Sequence, residues 1–131
     1  MADGFYVPGD TGVHFEVTDG STFDFDTGVP GIPILSTGTF DTTSAPGSGA
    51  VYLVNNVPGY VLCAANACAD AQGNGPIPAQ GSCMLTISSA GPSASASGDT
   101  TWPTPHGTLT VTMPAEPGGA ESGTIVVDAT F

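Results

Sequence analysis

Two segments near the carboxyl end of the sequence alternate apolar and polar residues, and this alternation constrains the fold more than any other feature. The segments are residues 107–113 and residues 123–131. Their apolar positions are Leu109, Val111, Met113, Ile125, Val127, Ala129 and Phe131. A period of two places successive side chains on opposite faces of a strand, so each segment is predicted to be a strand with one face in a core.

Shorter runs, some alternating and some rich in β-branched and aromatic residues, predict the rest of an all-β chain. These runs are residues 13–17, 22–26, 38–42, 50–55, 59–63 and 83–88. The 19 glycines and 12 prolines among 131 residues limit helix formation. Residues 44–49, 64–80 and 91–105 are predicted to be turns or loops. We therefore predict one domain over residues 1–131, an antiparallel β-sandwich or small barrel of about seven or eight short strands. Residues 1–10 are predicted to form a loosely ordered N-terminal segment.

The first predicted hairpin has two alternating strands that flank Gly20. A three-residue loop with Gly20 in the left-handed region pairs Phe15 with Phe23 and keeps the apolar residues on one face. The same register places His14 opposite Asp24 on the other face.

All the charge of the chain has one sign, because 12 acidic residues are accompanied by no lysine and no arginine. The resulting net charge of −12 excludes nucleic acids and anionic lipid surfaces as partners. The absence of lysine excludes Schiff-base chemistry and Walker-type phosphate loops, and the absence of arginine excludes bidentate phosphate clamps. No run approaches the roughly 18 apolar residues of a membrane helix, so no membrane-spanning segment is predicted. We predict no catalytic residue and no resident cofactor.

Acidic residues on the outer face of the first hairpin form a candidate Ca²⁺ site. Its residues are Glu16, Asp24 and Asp26, with His14 nearby. Carboxylates without a cationic partner repel one another, and a hard cation with oxygen ligands relieves that repulsion. No calcium-loop motif is present, which favours the alternative of a solvated face that keeps the protein soluble.

The three cysteines, Cys63, Cys68 and Cys83, predict one disulfide and one free thiol. Cys63 and Cys83 are the predicted pair, with Cys68 as the alternative partner. A zinc site is disfavoured because three cysteines without a close histidine supply too few ligands. A disulfide implies an oxidising compartment, so we expect an exported protein that is secreted, periplasmic or at the cell surface, with its export signal removed.

The triplet Asp-Thr-Gly occurs twice, at residues 10–12 and 26–28. It is similar to the active-site loop of aspartic proteases, in which two aspartates share a proton. The two copies are too close together for a two-lobed enzyme, and Asp-Thr-Gly is also common in turns, so both copies are predicted to be turns. An aspartic-type or Ca²⁺-assisted hydrolase stays as an alternative.

Four segments form a recognisable pattern: a glycine-led strand near residue 38, residues 81–87, which begin Gly-Ser-Cys, residues 106–111 and residues 123–131. Over about residues 11–131 this pattern resembles exported lipoprotein-type β-domains of bacteria, particularly those of myxobacteria. The resemblance implies an exported β-domain of unassigned activity, and it transfers no functional residue. Such domains usually carry lysine and arginine, which this chain lacks.

The favoured function is a non-enzymatic binding or structural domain of the cell envelope or extracellular space. The alternative is a subunit of an extracellular filament or surface assembly built by strand pairing, since threonine-rich faces suit lateral packing and no lysine protects a strand edge. The expected partner is a second copy or another surface protein or carbohydrate. A carbohydrate platform would use the aromatic side chains of Tyr6, Tyr52, Tyr60 and Trp102.

Overall fold

The structure, a computed structural model, describes residues 2–6, 12–30, 37–44, 48–89, 93–96, 100–103 and 106–131. Side chains are described for residues 19–25, 37–44, 48–89 and 106–131. All regular secondary structure in these residues is β-strand. The strands are β1 (Ala2–Tyr6), β2 (Gly12–Thr18), β3 (Phe23–Pro30), β4 (Gly38–Asp41), β5 (Gly49–Val54), β6 (Val57–Cys63), β7 (Ser82–Ser89), β8 (Ser93–Ala96), β9 (Thr100–Pro103), β10 (His106–Pro114) and β11 (Thr124–Thr130).

The strands form two larger antiparallel sheets and a small hairpin. The first sheet has the order β1-β2-β3-β5-β6, the second has the order β11-β10-β7-β4, and β8 pairs with β9 alone. Buried residues of both larger sheets form one apolar core. They are Phe23, Phe25, Ala50, Leu62, Cys83, Leu85, Ile87, Leu109, Val111 and Met113. The predicted fold class, an antiparallel β-sandwich, is confirmed.

Strand β10 shows why the alternation was a strong signal. Leu109, Val111 and Met113 are each at most 1 % exposed, whereas Thr110 and Thr112 between them are half-buried. In the neighbouring β11 the same alternation gives half-buried and exposed side chains, because β11 lies at the end of its sheet. Both strands are confirmed, and in β7 the alternation predicts Cys83, Leu85 and Ile87 on one face, where all three are buried.

The predicted register of the first hairpin is wrong. Phe15 lies opposite Thr27 rather than Phe23, and Val17 lies opposite Phe25. The shift moves the pairing by an even number of residues, so the faces are unchanged. Phe23 and Phe25 are accordingly buried, and the side chain of Asp24 is exposed, as predicted.

In the observed register residues 19–23 form the loop between the paired residues Thr18 and Asp24. Hydrogen bonds of the Asp19 side chain explain this longer loop. Its Oδ1 accepts hydrogen bonds from the backbone N–H groups of Ser21, Thr22 and Phe23 at 2.6–2.9 Å. The backbone N–H of Asp19 donates to the Phe23 carbonyl at 3.2 Å and closes the loop. The hydroxyl of Thr22 donates to the other carboxylate oxygen. These bonds satisfy the loop backbone in a way that a three-residue turn would not.

We expect Asp19 to make the hairpin sensitive to acid. The Thr22 hydroxyl and the backbone N–H groups of the loop hold the pKa of Asp19 far below its ordinary value of 3.8. A carboxyl group with a lower pKa in the folded state stabilises the fold above its unfolded-state pKa, and this stabilisation is lost as the pH falls below about 4. Asp19→Asn is therefore expected to lose less stability than the wild type between about pH 6 and pH 3, measured by urea unfolding.

Asp24→Asn is the matched control, because Asp24 is exposed on the adjoining strand and accepts no hydrogen bond from the described residues. This variant removes a carboxylate of the same hairpin and keeps the hydrogen bonds of the Asp19 side chain. An equal acid dependence in all three proteins would contradict the role of Asp19.

The sequence pattern predicts a turn at residues 56–58, between the runs 50–55 and 59–63, but the turn between β5 and β6 lies earlier. Val54 pairs with Val57, so the turn contains only Asn55 and Asn56. Their φ angles are 53° and 63°, which matches the two positive values of a type I′ turn. Asparagine tolerates this region better than other residues with a Cβ.

Two further predictions are wrong. Residues 93–96 and 100–103 pair as β8 and β9, whereas residues 91–105 were predicted to be a loop. Residues 93–96 alternate serine with alanine, and alanine is too small to give a strong signal of a buried strand face. The Asp-Thr-Gly copy at residues 26–28 is not a turn either, because it continues β3 and pairs with residues 14–16 of β2. The copy at residues 10–12 extends beyond the described residues.

Candidate functional site

The outer edge of β11 is an open strand edge in the described part of the chain. Gly107 and Phe131 exchange both backbone hydrogen bonds, at 3.0 and 3.1 Å. Backbone groups of successive residues point to opposite sides of a strand, so the odd-numbered residues of β11 bond to β10 and the even-numbered residues point away from it. The outward residues are Thr124, Val126, Asp128 and Thr130, and all four are exposed.

Strand β11 carries few of the features that protect edge strands from pairing. Natural edges are shortened, bulged, or blocked by proline or lysine. The seven residues of β11 pair with β10 without a register shift and include no proline and no lysine. The single charge, Asp128, accepts a hydrogen bond from the Thr110 hydroxyl at 2.7 Å, so its carboxylate lies toward β10 and not across the open edge. Val126 is 58 % exposed.

The other edge strands with described side chains are shorter or covered. Strand β4 has four residues. The edge of β6 is covered at both ends, since Cys63 and Gln80 exchange two backbone hydrogen bonds at 3.0 Å and the N–H of Glu116 donates to the Gly59 carbonyl at 2.9 Å. Among these strands, β11 therefore offers the longest open edge. Nothing in the sequence pattern gives sheet order, so this site could not be located from the sequence.

The side chains of Cys63 and Cys68 approach each other to 2.5 Å. Cys63 ends β6 and is buried, and Cys68 lies half-buried in the loop of residues 64–80. Burial, followed by the neighbouring Cys68, raises the pKa of the Cys63 thiol to about 12. The third cysteine, Cys83, belongs to the core, where burial raises its pKa to about 11. The structure thus brings together Cys63 and the alternative partner Cys68.

The predicted Ca²⁺ residues lie on neighbouring strands. Asp26 is opposite Glu16 in the register of β2 and β3, and His14 is opposite Gly28. The side chains of His14, Glu16 and Asp26 lie outside the described residues, and the side chain of Asp24 is exposed. Within the described residues there is no group of three metal-ligating side chains. The Ca²⁺ site stays a prediction, to be checked by calcium titration of the melting temperature.

The aromatic residues of the predicted carbohydrate platform are only partly described. Tyr52 and Tyr60 make an edge-to-face contact with ring centroids 6.4 Å apart and pack against the core. The Tyr60 hydroxyl donates to the Ser122 carbonyl at 3.3 Å. The side chains of Tyr6 and Trp102 lie outside the described residues. The two described tyrosines therefore have a structural role in the sandwich.

Comparison with protein-family models, with curated proteins and with solved structures gives no match. No helix that could cross a membrane occurs in the described residues.

Proposed function

We propose that this protein is a non-enzymatic structural domain of the cell surface or extracellular space that self-associates by pairing of β11 strands. The open edge of β11 carries the proposal. Strand addition satisfies unpaired backbone groups of an edge with those of a second strand. The four outward residues of β11 offer four donors and four acceptors for such pairing.

A second copy fits this edge in one register better than in others. When two β11 strands run antiparallel about a two-fold axis at Val127, Thr124 lies opposite Thr130 and Val126 lies opposite Asp128 of the second copy. All four outward residues then pair, and the two Asp128 side chains do not face each other. The half-buried apolar residues of β11 continue across the axis and lose further contact with water. The product is an eight-stranded antiparallel sheet.

The symmetry distinguishes a dimer from a filament. Pairing of β11 with β11 is isologous, so it closes as a dimer. A filament requires a second, different edge on each subunit. The net charge of −12 on each copy opposes association at long range, and salt screens this repulsion. Association is therefore expected to strengthen with added salt.

Substitution of Val126 tests both the edge and the register. Val126→Pro removes an outward N–H that β10 does not use, so association is expected to be lost while the fold is kept. Val126→Lys places a cation opposite Asp128 of the second copy and is expected to strengthen association, whereas Val126→Asp is expected to abolish it. Sedimentation velocity over a range of protein and salt concentrations measures these differences.

Met84→Lys and Met84→Asp are the matched controls. Met84 is 41 % exposed on the inner strand β7 of the same sheet, so these variants change the net charge equally, away from the edge. Their effects on association are expected to be small. Equal effects at Val126 and Met84, or a wild type that stays monomeric at every concentration and salt, would overturn the proposal.

A further inference from the structure

The loop that follows β6 holds Cys68 beside Cys63 through backbone hydrogen bonds. Only residues 64–67 separate the two cysteines, and the chain reverses there, with the Ala67 N–H donating to the Ala64 carbonyl at 3.1 Å. The N–H of Ile77 donates to the Cys68 carbonyl at 3.0 Å. The position of Cys68 is therefore fixed by bonds that do not involve its sulfur.

The two faces of the first sheet separate Cys63 from Cys83. Leu62 belongs to the core between the sheets, and the next residue of a strand points to the opposite face. Cys63 consequently faces away from the core, on the side covered by the loop of residues 64–80. Cys83 lies inside the core and is fully buried. A bond between Cys63 and Cys83 would have to pass through the first sheet.

We infer that Cys63 and Cys68 form a disulfide bond and that Cys83 stays a buried free thiol. The pair closes a short loop at the end of β6 and links the last residue of that strand to the loop that covers it. Cys68 also lines a groove of about 420 Å³ on this side of the sheet, together with Asp24, Val51 and Glu116. The disulfide thus stabilises one wall of this groove. This inference is independent of strand pairing at β11.

Formation of the bond requires an external disulfide as the oxidant. The Cys68 thiolate attacks one sulfur of the oxidant, and the other sulfur leaves as a thiolate. The Cys63 thiol then loses its proton and attacks the Cys68 sulfur of the mixed disulfide, which releases the second half of the oxidant as a thiol. Two protons and two electrons pass from the cysteines to the oxidant. Cys68 reacts first because it is more exposed than Cys63.

One proteolytic digest distinguishes the Cys63–Cys68 pairing from the two pairings that involve Cys83. The chain contains no lysine or arginine, so trypsin is unsuitable, but cleavage before aspartate yields residues 41–69 and residues 70–98. The first fragment contains Cys63 and Cys68, and the second contains Cys83. The folded protein is incubated with oxidised glutathione, unfolded, alkylated without reductant, digested and analysed by mass spectrometry.

We expect fragment 41–69 to be unalkylated and two hydrogen atoms lighter than its reduced form, and fragment 70–98 to carry one alkyl group. Two fragments joined by a disulfide, two alkyl groups on fragment 41–69, or glutathione retained on Cys68 would each overturn the inference. Cys83→Ala is expected to keep the lighter fragment 41–69. Cys68→Ser is expected to abolish it and to leave Cys63 alkylated.

Discussion

Gly107→Ala is expected to lower the free energy of unfolding by about 3 kcal/mol, a large effect for the addition of one methyl group. Gly107 is buried at the start of β10, where the register with β7 shifts between His106 and Gly107. A Cβ at this position would overlap the carbonyl oxygen of Thr86 and would lie 3.0 Å from the ring of Phe131. Glycine commonly occupies bulges where another backbone approaches closely.

The backbone around Gly107 has little freedom to accommodate the methyl group. Its N–H and carbonyl are both bonded to Phe131, so a shift away from Thr86 would break the last pair of the β10–β11 ladder. That pair also fixes which residues of β11 point outward. The expected result is a lower urea midpoint, with weaker association through β11 if the end of that strand separates.

Gly49→Ala is the matched control for this substitution. Gly49 is also a strand glycine, but the atom nearest to an added Cβ is the Leu62 carbonyl oxygen at 3.8 Å, an ordinary van der Waals distance. Its effect on the free energy of unfolding is expected to be below about 1 kcal/mol. Similar losses of stability in both variants would contradict the proposed overlap with Thr86.

The strands of the second sheet were predictable because their amphipathic pattern is decided by burial. In β7 and β10 every second side chain faces the core, so the alternation in the sequence reports the fold directly. The register of the first hairpin was not predictable in the same way. Shifting two alternating strands by two or four residues keeps Phe23 and Phe25 on the inner face, so the apolar pattern does not choose among these registers. The hydrogen bonds of Asp19 make the choice.

The candidate sites were predictable only in part. Three cysteines allow three pairings, and although the alternation in β7 gives the face of Cys83, no pattern in the sequence gives the positions of Cys63 and Cys68. The position of Cys68 depends on the backbone bond from Ile77, which local spacing does not reveal. Likewise, the alternation in β11 predicted a strand with one buried face, but the order of strands in the sheet determines that this strand has an open edge.

Thr42 and Thr43 provide a second stability test, in which the same substitution is expected to act in opposite directions. The Thr42 side chain is fully buried, and its hydroxyl has no hydrogen bond of ordinary geometry. Its polar neighbour is the thiol of Cys83, which is a weak hydrogen-bonding group. A desolvated hydroxyl without a good partner costs free energy. Thr42→Val is therefore expected to raise the free energy of unfolding by about 1 kcal/mol.

The Thr43 hydroxyl, in contrast, is bonded to the backbone of Cys83. It accepts a hydrogen bond from the Cys83 N–H at 2.8 Å and donates to the Cys83 carbonyl at 3.4 Å. Thr43→Val leaves a partly buried N–H without an acceptor and is expected to lower the free energy of unfolding by about 1–2 kcal/mol. Urea unfolding of the two variants measures both effects under the same conditions.

The two variants are each other's control, because they make the same change in size and β-propensity at adjacent positions. A change of the same sign in both would show that neither effect arises from the hydroxyl groups. Opposite signs would show that hydrogen bonding at Cys83 connects the end of β4 to β7. Since β4 is short and, among the described strands, pairs with β7 alone, the Thr43 side chain adds to the backbone hydrogen bond that the Thr42 N–H donates to the Cys83 carbonyl at 3.0 Å.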